Sequence, residues 1–257
     1  MVITAGEKLP EFPVLARILG TASKLDPTTA AAAARHCWGV LGRDLDEAAA
    51  GALAGPCADF GVKTLALPFP PPPLPAAERI KRAVFQDGAA VFTGTGGLAV
   101  TATPGGVLAL AAAPIKEETL RTVKTTEGPS AKEKAVRMGI MAVTGLPIGM
   151  GKTKEVTKEV RSSELSFYLD IVLEEGPRRL RLSSDNFDFS CLKEKKTYSS
   201  QVNFRLLCAE LAAFAPSAFR NAGLLAMLEG KPLTPLPYDS LADLEKETLR
   251  LVLAKRG

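Results

Sequence analysis

The amino-acid order predicts an α+β chain in four parts. A small N-terminal βαβ unit spans residues 1–67 and a proline-rich linker spans 68–79. An antiparallel β-barrel or sandwich, capped by a helix, spans 80–215 and carries an apolar insertion at 130–158. Two further helices occupy 216–257. Three observations carry this division. PFPPPPLP at 68–75 holds six prolines in eight residues, a composition that favours polyproline II and builds no core of its own. Ahead of it, apolar runs alternate with alanine-rich helical stretches. Behind it, short apolar runs are punctuated by Asp-Gly, Pro-Gly and Gly-Pro turns until the texture returns to helix near residue 199.

In the first part, residues 13–20 (PVLARILG) read as a short helix, with proline early and glycine at the stop. Asp26-Pro27 opens an alanine-rich helix to Arg35, with Asp26 as cap and Pro27 in the first turn. Residues 37–41 (CWGVL) read as a strand, with His36 at its start. Asp44 and Glu47 resemble a capping box for a helix ending at Gly61, bent or shortened at Gly55-Pro56. Residues 62–67 (VKTLAL) supply the second strand of the βαβ unit, right-handed if the two strands are parallel.

Beyond the linker, residues 83–93 hold a turn at Asp87-Gly88 between two short runs. Residues 97–103 and 107–113 flank the Pro104-Gly105-Gly106 turn. Residues 165–173 and 180–183 form a hairpin through Glu174-Glu175-Gly176-Pro177, and 186–190 offer a continuation of the sheet. Ser199 or Ser200 caps a helix through Ala215, with Val202, Leu206, Leu207, Leu211 and Phe214 on one stripe. Pro216 ends it, 217–229 read as a second helix closed by Gly230, and Ser240 with Asp243 opens a last helix. Lys255 and Arg256 in its final turn match the helix dipole.

The segments AVFQDGAAVFT, LAVTATPGGVLALAA, SELSFYLDIVLEEGPRRLRLSS and SQVNFRLLCAELAAF follow the order of short antiparallel strands and then one amphipathic helix. Over roughly residues 80–215 this resembles bacterial PH-like (PH/GRAM-type) domains. The resemblance implies a bent sheet closing around a core, a helix at its open end, and basic loops that bind anionic headgroups. One departure stands out. Where such domains often place an aromatic-acidic pair before the third strand, this chain has Pro104-Gly105-Gly106.

Composition narrows the function. In 257 residues, 46% hydrophobic and 23% charged, a sizeable core can form and whole-chain disorder is excluded. The net charge of +4 arises from 32 basic and 28 acidic groups spread along the chain, without the dense basic stripe that nucleic acid requires. No apolar run reaches the roughly 18–20 residues of a spanning helix. The opening MVITAGEKLPEFP lacks a signal-peptide layout, so a cytoplasmic protein is expected. Cys37, Cys57, Cys191 and Cys208 fall in no CxxC pattern, and His36 is the single histidine. The residues therefore predict free thiols, no metal site and no cofactor.

Two segments could carry binding. Residues 138–151 (MGIMAVTGLPIGMG) hold no charge, and three of the five methionines lie among them. Met138, Met141, Leu146, Ile148 and Met150 make an adaptable apolar surface. Lys152, Lys154 and Lys158 follow it and suit an anionic lipid surface, with Glu155 and Glu159 cancelling part of the charge. Packing on the chain's own sheet is the plainer reading of this stretch. Gly176-Pro177 is followed by Arg178, Arg179 and Arg181, positive charge gathered at a hairpin. Residues 145–153 also approach a phosphate loop, but the residue five before Gly151 is Leu146 rather than glycine. The expectation is a non-enzymatic binding or scaffold protein with no catalytic residue. It would meet a protein partner or the cytoplasmic membrane face, and a homo-oligomer is a further reading. The alternative is a nucleotide-binding protein or enzyme using 145–153.

Overall fold

The structure is a computed structural model. It describes residues 1–127, 154–232 and 238–257, with side chains over 1–116, 165–232 and 238–257. Two compact units emerge. The first joins Met1–Lys116 to Leu165–Gly257, and the second is Glu117–Glu164. The class is α+β, with one sheet of three strands and one of seven.

The smaller sheet is built from β1 (Val2–Thr4), β2 (Val40–Gly42) and β3 (Thr64–Ala66), in the order β2-β1-β3. β1 runs antiparallel to both neighbours. The expected βαβ unit is thus split. β2 and β3 do run the same way, but β1 lies between them. Three residues are too few for periodicity to reveal β1, yet pairing on both sides buries all of them. Helix α1 (Phe12–Ser23) and α2 (Pro27–Cys37) pack together, with Asp26 accepting from the N–H groups of Thr28 and Thr29 as foreseen. The strand expected at 37–41 starts later. α2 runs on through His36 and Cys37, and Trp38 and Gly39 then take positive φ of 50° and 77° before β2 begins. An alanine run with no helix breaker lets the helix continue to that left-handed pair. In α3 (Glu47–Asp59), Pro56 does not end the helix. The carbonyl it leaves unpaired is that of exposed Ala52, where water can serve.

The larger sheet has the order β10-β7-β8-β9-β4-β5-β6. Its strands are β4 (Ala77–Gln86), β5 (Ala89–Gly94), β6 (Ala99–Ala102), β7 (Val107–Glu127), β8 (Lys154–Leu173), β9 (Arg178–Ser183) and β10 (Phe219–Arg220). The Asp87-Gly88 turn is the tight hairpin expected, with φ of 51° and 73°. β8 and β9 pair antiparallel through Tyr168↔Ser183 to Leu173↔Arg178. Two features correct the sequence reading. The sheet is open, with β10 and β6 at its edges, rather than closed as a barrel. It is also mixed, because β4 pairs parallel with β9 and β10 with β7. The segment expected to continue the sheet after residue 186 forms a 3-10 turn, Phe189–Lys195, tied to β4 by Asp188 N–H donating to Lys81 O.

Both faces of the sheet are covered at Val107–Ala113, which explains the unbroken apolar run VLALAAA of β7. One face packs against α4 (Ser200–Phe214) through Phe204, Leu207 and Leu211, with Leu110, Leu169, Ile171, Leu180 and Leu182 below. The other packs Ala109, Ala111, Ala113 and Val172 against Leu244, Leu251 and Val252 of α6 (Leu241–Arg256). α4 is capped by Ser199 and α6 by the Ser240/Asp243 box, as the sequence predicted. The helix expected at 217–229 is shorter. β10 takes its start, and α5 (Ala222–Leu228) follows. Asn221 explains the break, since its side chain is drawn to β7 instead of continuing a helix.

Candidate functional site

Charge converges on the α6 side of the larger sheet. Outward-facing residues of three adjacent strands lie in a row there. The register sets Asp170 of β8 opposite Arg181 of β9, and Arg181 beside Arg79 of β4. Asp170, fully buried, receives Arg181 Nε at 2.6 Å and Nη2 at 2.8 Å. Arg179 Nη1 stands 3.7 Å from Asp170. Glu245, reaching down from α6, accepts from Arg179 Nη2 at 3.0 Å and Arg181 Nη2 at 3.1 Å. Burial works against the Arg181 charge, but the Asp170 hydrogen bonds and the two carboxylates outweigh it and raise its pKa.

Beside this network lies a pocket of about 440 Å³. Arg79, Lys81 and Arg181 supply its charge, and Thr95, Ser183 and Asn186 supply neutral polar groups. The side chains of Arg79 and Lys81 are exposed and make no hydrogen bond or ion pair to the described residues. Alternation on a strand places them on one face, while Ile80 between them enters the core.

A second polar group is wholly interior. Asn221 binds β7 as a strand would, accepting Ala112 N–H at 2.8 Å and donating to Ala112 O at 2.9 Å. The same side chain caps α5 through Leu224 N–H, and it donates to Glu247 and to the Tyr238 hydroxyl. Glu247 also accepts from Tyr238 and from Ala222 N–H. Burial raises the Glu247 carboxyl pKa against the pull of those bonds, and burial beside Glu247 holds the Tyr238 hydroxyl protonated. One turn on, buried Arg250 donates to the carbonyls of Gly6 and Glu7 and ties the N-terminal loop to α6. Trp38 stacks on Tyr238 at 4.2 Å and donates to Asp243. Asn221, Tyr238 and Glu247 satisfy one another, Arg250 keeps only its Nε without a partner, and the role of the group is architectural.

Two further places bring reactive or metal-ligating groups together. His36, Asp239 and Asp243 bring one ligand atom each within 4.8 Å. However, Asp243 accepts Trp38 Nε1–H on one oxygen and the N–H groups of Asp239 and Ser240 on the other, so it serves as a helix cap. A groove of about 730 Å³ runs along Phe85, Cys191 and Leu192, with Lys195 paired to Glu210 at its rim. Burial raises the Cys191 thiol above its ordinary range, which keeps it a poor nucleophile.

Of the residues singled out from sequence, Arg178, Arg179 and Arg181 are described with their side chains. They do not form one solvated turn. Arg178 is held by Glu78 in a bidentate pair at 2.7 and 2.6 Å, Arg179 is nearly buried, and Arg181 alone reaches the pocket. Lys154 and Lys158 lie on β8, in the stretch where only the backbone is described. Met138, Met141, Leu146, Ile148, Met150 and Lys152, and with them the whole glycine-rich segment 145–153, lie outside the described residues. Sequence reasoning passed over Arg79 and Lys81. Their signal was present as alternation in AERIK, but only the parallel pairing with β9 shows what stands beside them. Comparison with protein-family models, curated proteins and solved structures finds no match to this chain.

Proposed function

We propose that the chain is a non-enzymatic binding or scaffold protein built on a PH-like module. It meets an anionic partner, either a protein surface or the cytoplasmic face of a membrane. The observation that carries this reading is the pair Arg79 and Lys81, exposed beside an Arg181 that Asp170 and Glu245 already match. Cations without partners raise the encounter rate with negative surfaces and favour an anion at that place. The succession of hairpins followed by a helix packed on the sheet supports the PH-like part of the proposal.

Flotation with vesicles containing phosphatidylserine, against neutral vesicles, tests the membrane form. Binding is expected to anionic vesicles alone, to weaken with salt, and to fall in the Arg79→Glu/Lys81→Glu variant. A variant lacking residues 138–151 tests the share of the apolar segment. Unchanged flotation in the charge-reversed variant would remove the cationic patch from the proposal.

A further inference from the structure

Parallel pairing sets Arg79 directly beside Arg181, and like charges facing one another across neighbouring strands destabilise a sheet. Arg181 is neutralised by Asp170, and Arg179 shares Glu245 with it. Arg179 and Arg181 are matched by the two carboxylates Asp170 and Glu245, and the unpaired Arg79 and Lys81 beside them leave a charge of +2 at the pocket. No acidic side chain lines it among the described residues, and its neutral lining from Thr95, Ser183 and Asn186 can hydrogen-bond oxygen. A volume of about 440 Å³ accommodates a tetrahedral anion together with the group it is esterified to.

Resting on the binding role proposed above, we infer that this pocket is a site for a phosphate monoester dianion. Arg79 and Lys81 hold its oxygens, and Arg181 is the fixed cation at the back. A dianion cancels the residual charge, whereas a phosphodiester or a carboxylate leaves half of it. The guanidinium fork of Arg79 matches two phosphate oxygens, and Lys81 adds a point charge. Arg181, locked by Asp170, is placed before the ligand comes and pays no ordering cost. The ester can be a soluble metabolite or a lipid headgroup, and both offer the same dianion.

Titration calorimetry on the full chain with glycerol 3-phosphate, and with dimethyl phosphate as the monoanionic control, tests this. Saturable binding of the first and far weaker binding of the second are expected. Arg79→Gln and Lys81→Gln should each weaken glycerol 3-phosphate about tenfold. Both positions are exposed, so an unchanged melting temperature checks that the variants fold. Vesicles carrying phosphatidic acid, compared with phosphatidylserine at equal charge, then separate the sources. A preference for phosphatidic acid points to a lipid headgroup, and equal retention alongside glycerol 3-phosphate binding points to a soluble ester. Equal affinity for the two soluble phosphates, or no loss in either variant, overturns the inference. If anionic vesicles bind while glycerol 3-phosphate does not, the pocket falls and the broader binding role survives. If neither binds, the pocket and the membrane form of the binding role both fall.

Discussion

Asn221→Asp keeps the side chain's shape while turning its donor end into an acceptor. In the native chain the Asn221 amide is wholly buried and donates to Ala112 O at 2.9 Å, the Tyr238 hydroxyl at 2.8 Å and Glu247 Oε2 at 2.8 Å. The substitution removes all three donations and sets a carboxylate against a carbonyl and a second buried carboxylate. A buried acceptor left unpaired costs about 1–3 kcal/mol, which applies to Ala112 O, whereas Glu247 keeps its bonds from Tyr238 and Ala222 N–H but now faces a like charge. An unpaired buried charge adds to this unless the new group takes a proton. A loss of about 4–6 kcal/mol at neutral pH is expected, a large part of the 5–15 kcal/mol that typically holds a domain. The new carboxyl would have a folded-state pKa raised above its unfolded one. Its deficit should therefore be smallest in acid and grow as pH rises through the carboxylate range. Urea unfolding followed by circular dichroism and by the fluorescence of Trp38, the single tryptophan, buried against Tyr238, measures the change. A variant within about 1 kcal/mol of the native chain at pH 7 would show that β7 does not depend on this amide for its pairing.

Five further outcomes follow from the same geometry. Gly223→Ala places a Cβ 1.9 Å from Ala112 O, a backbone atom that cannot swing aside, and should cost about 1–3 kcal/mol or more in thermal unfolding. Gly51→Ala, in α3 with open space around it, should instead stabilise by up to about 1 kcal/mol. Asp170→Asn leaves Arg179 and Arg181 without their central charge and should destabilise by about 3–5 kcal/mol in urea. Glu78→Gln removes a carboxyl that the Arg178 hydrogen bonds hold below its ordinary pKa of 4.5. The stability from that pair is present above pH 4.5 and disappears as pH falls, so native and variant chains should differ at pH 7 and converge in acid. The partners are about a third exposed, which limits the difference to about 1 kcal/mol or less. In native thiol labelling Cys191 should react first and Cys208 last, the latter buried and its thiol held protonated. Prompt labelling of Cys208 would show that α4 opens readily.

Local chemistry was legible in the residues themselves. Asp26, Ser199 and Ser240 mark helix starts because a short polar side chain next to free N–H groups caps them wherever it sits. Asp87-Gly88 and Gly176-Pro177 mark turns because so few residues accept those dihedrals. Strand partners depend on chain that is distant in sequence. β1 is a strand only because Val40–Gly42 and Thr64–Ala66 flank it, and β4 lies parallel to β9 across a hundred residues. The same dependence hid the candidate site. Arg178, Arg179 and Arg181 look equivalent in a basic hairpin, and burial makes them three different groups. Asp170 neutralises one, Glu78 another, and Arg79 is left facing the pocket. Composition and short-range pattern determined where helices and turns begin. Which charges meet, and which stay unmatched, was decided by the tertiary structure, because Coulomb and hydrogen-bond energies depend on distance in space and not along the chain.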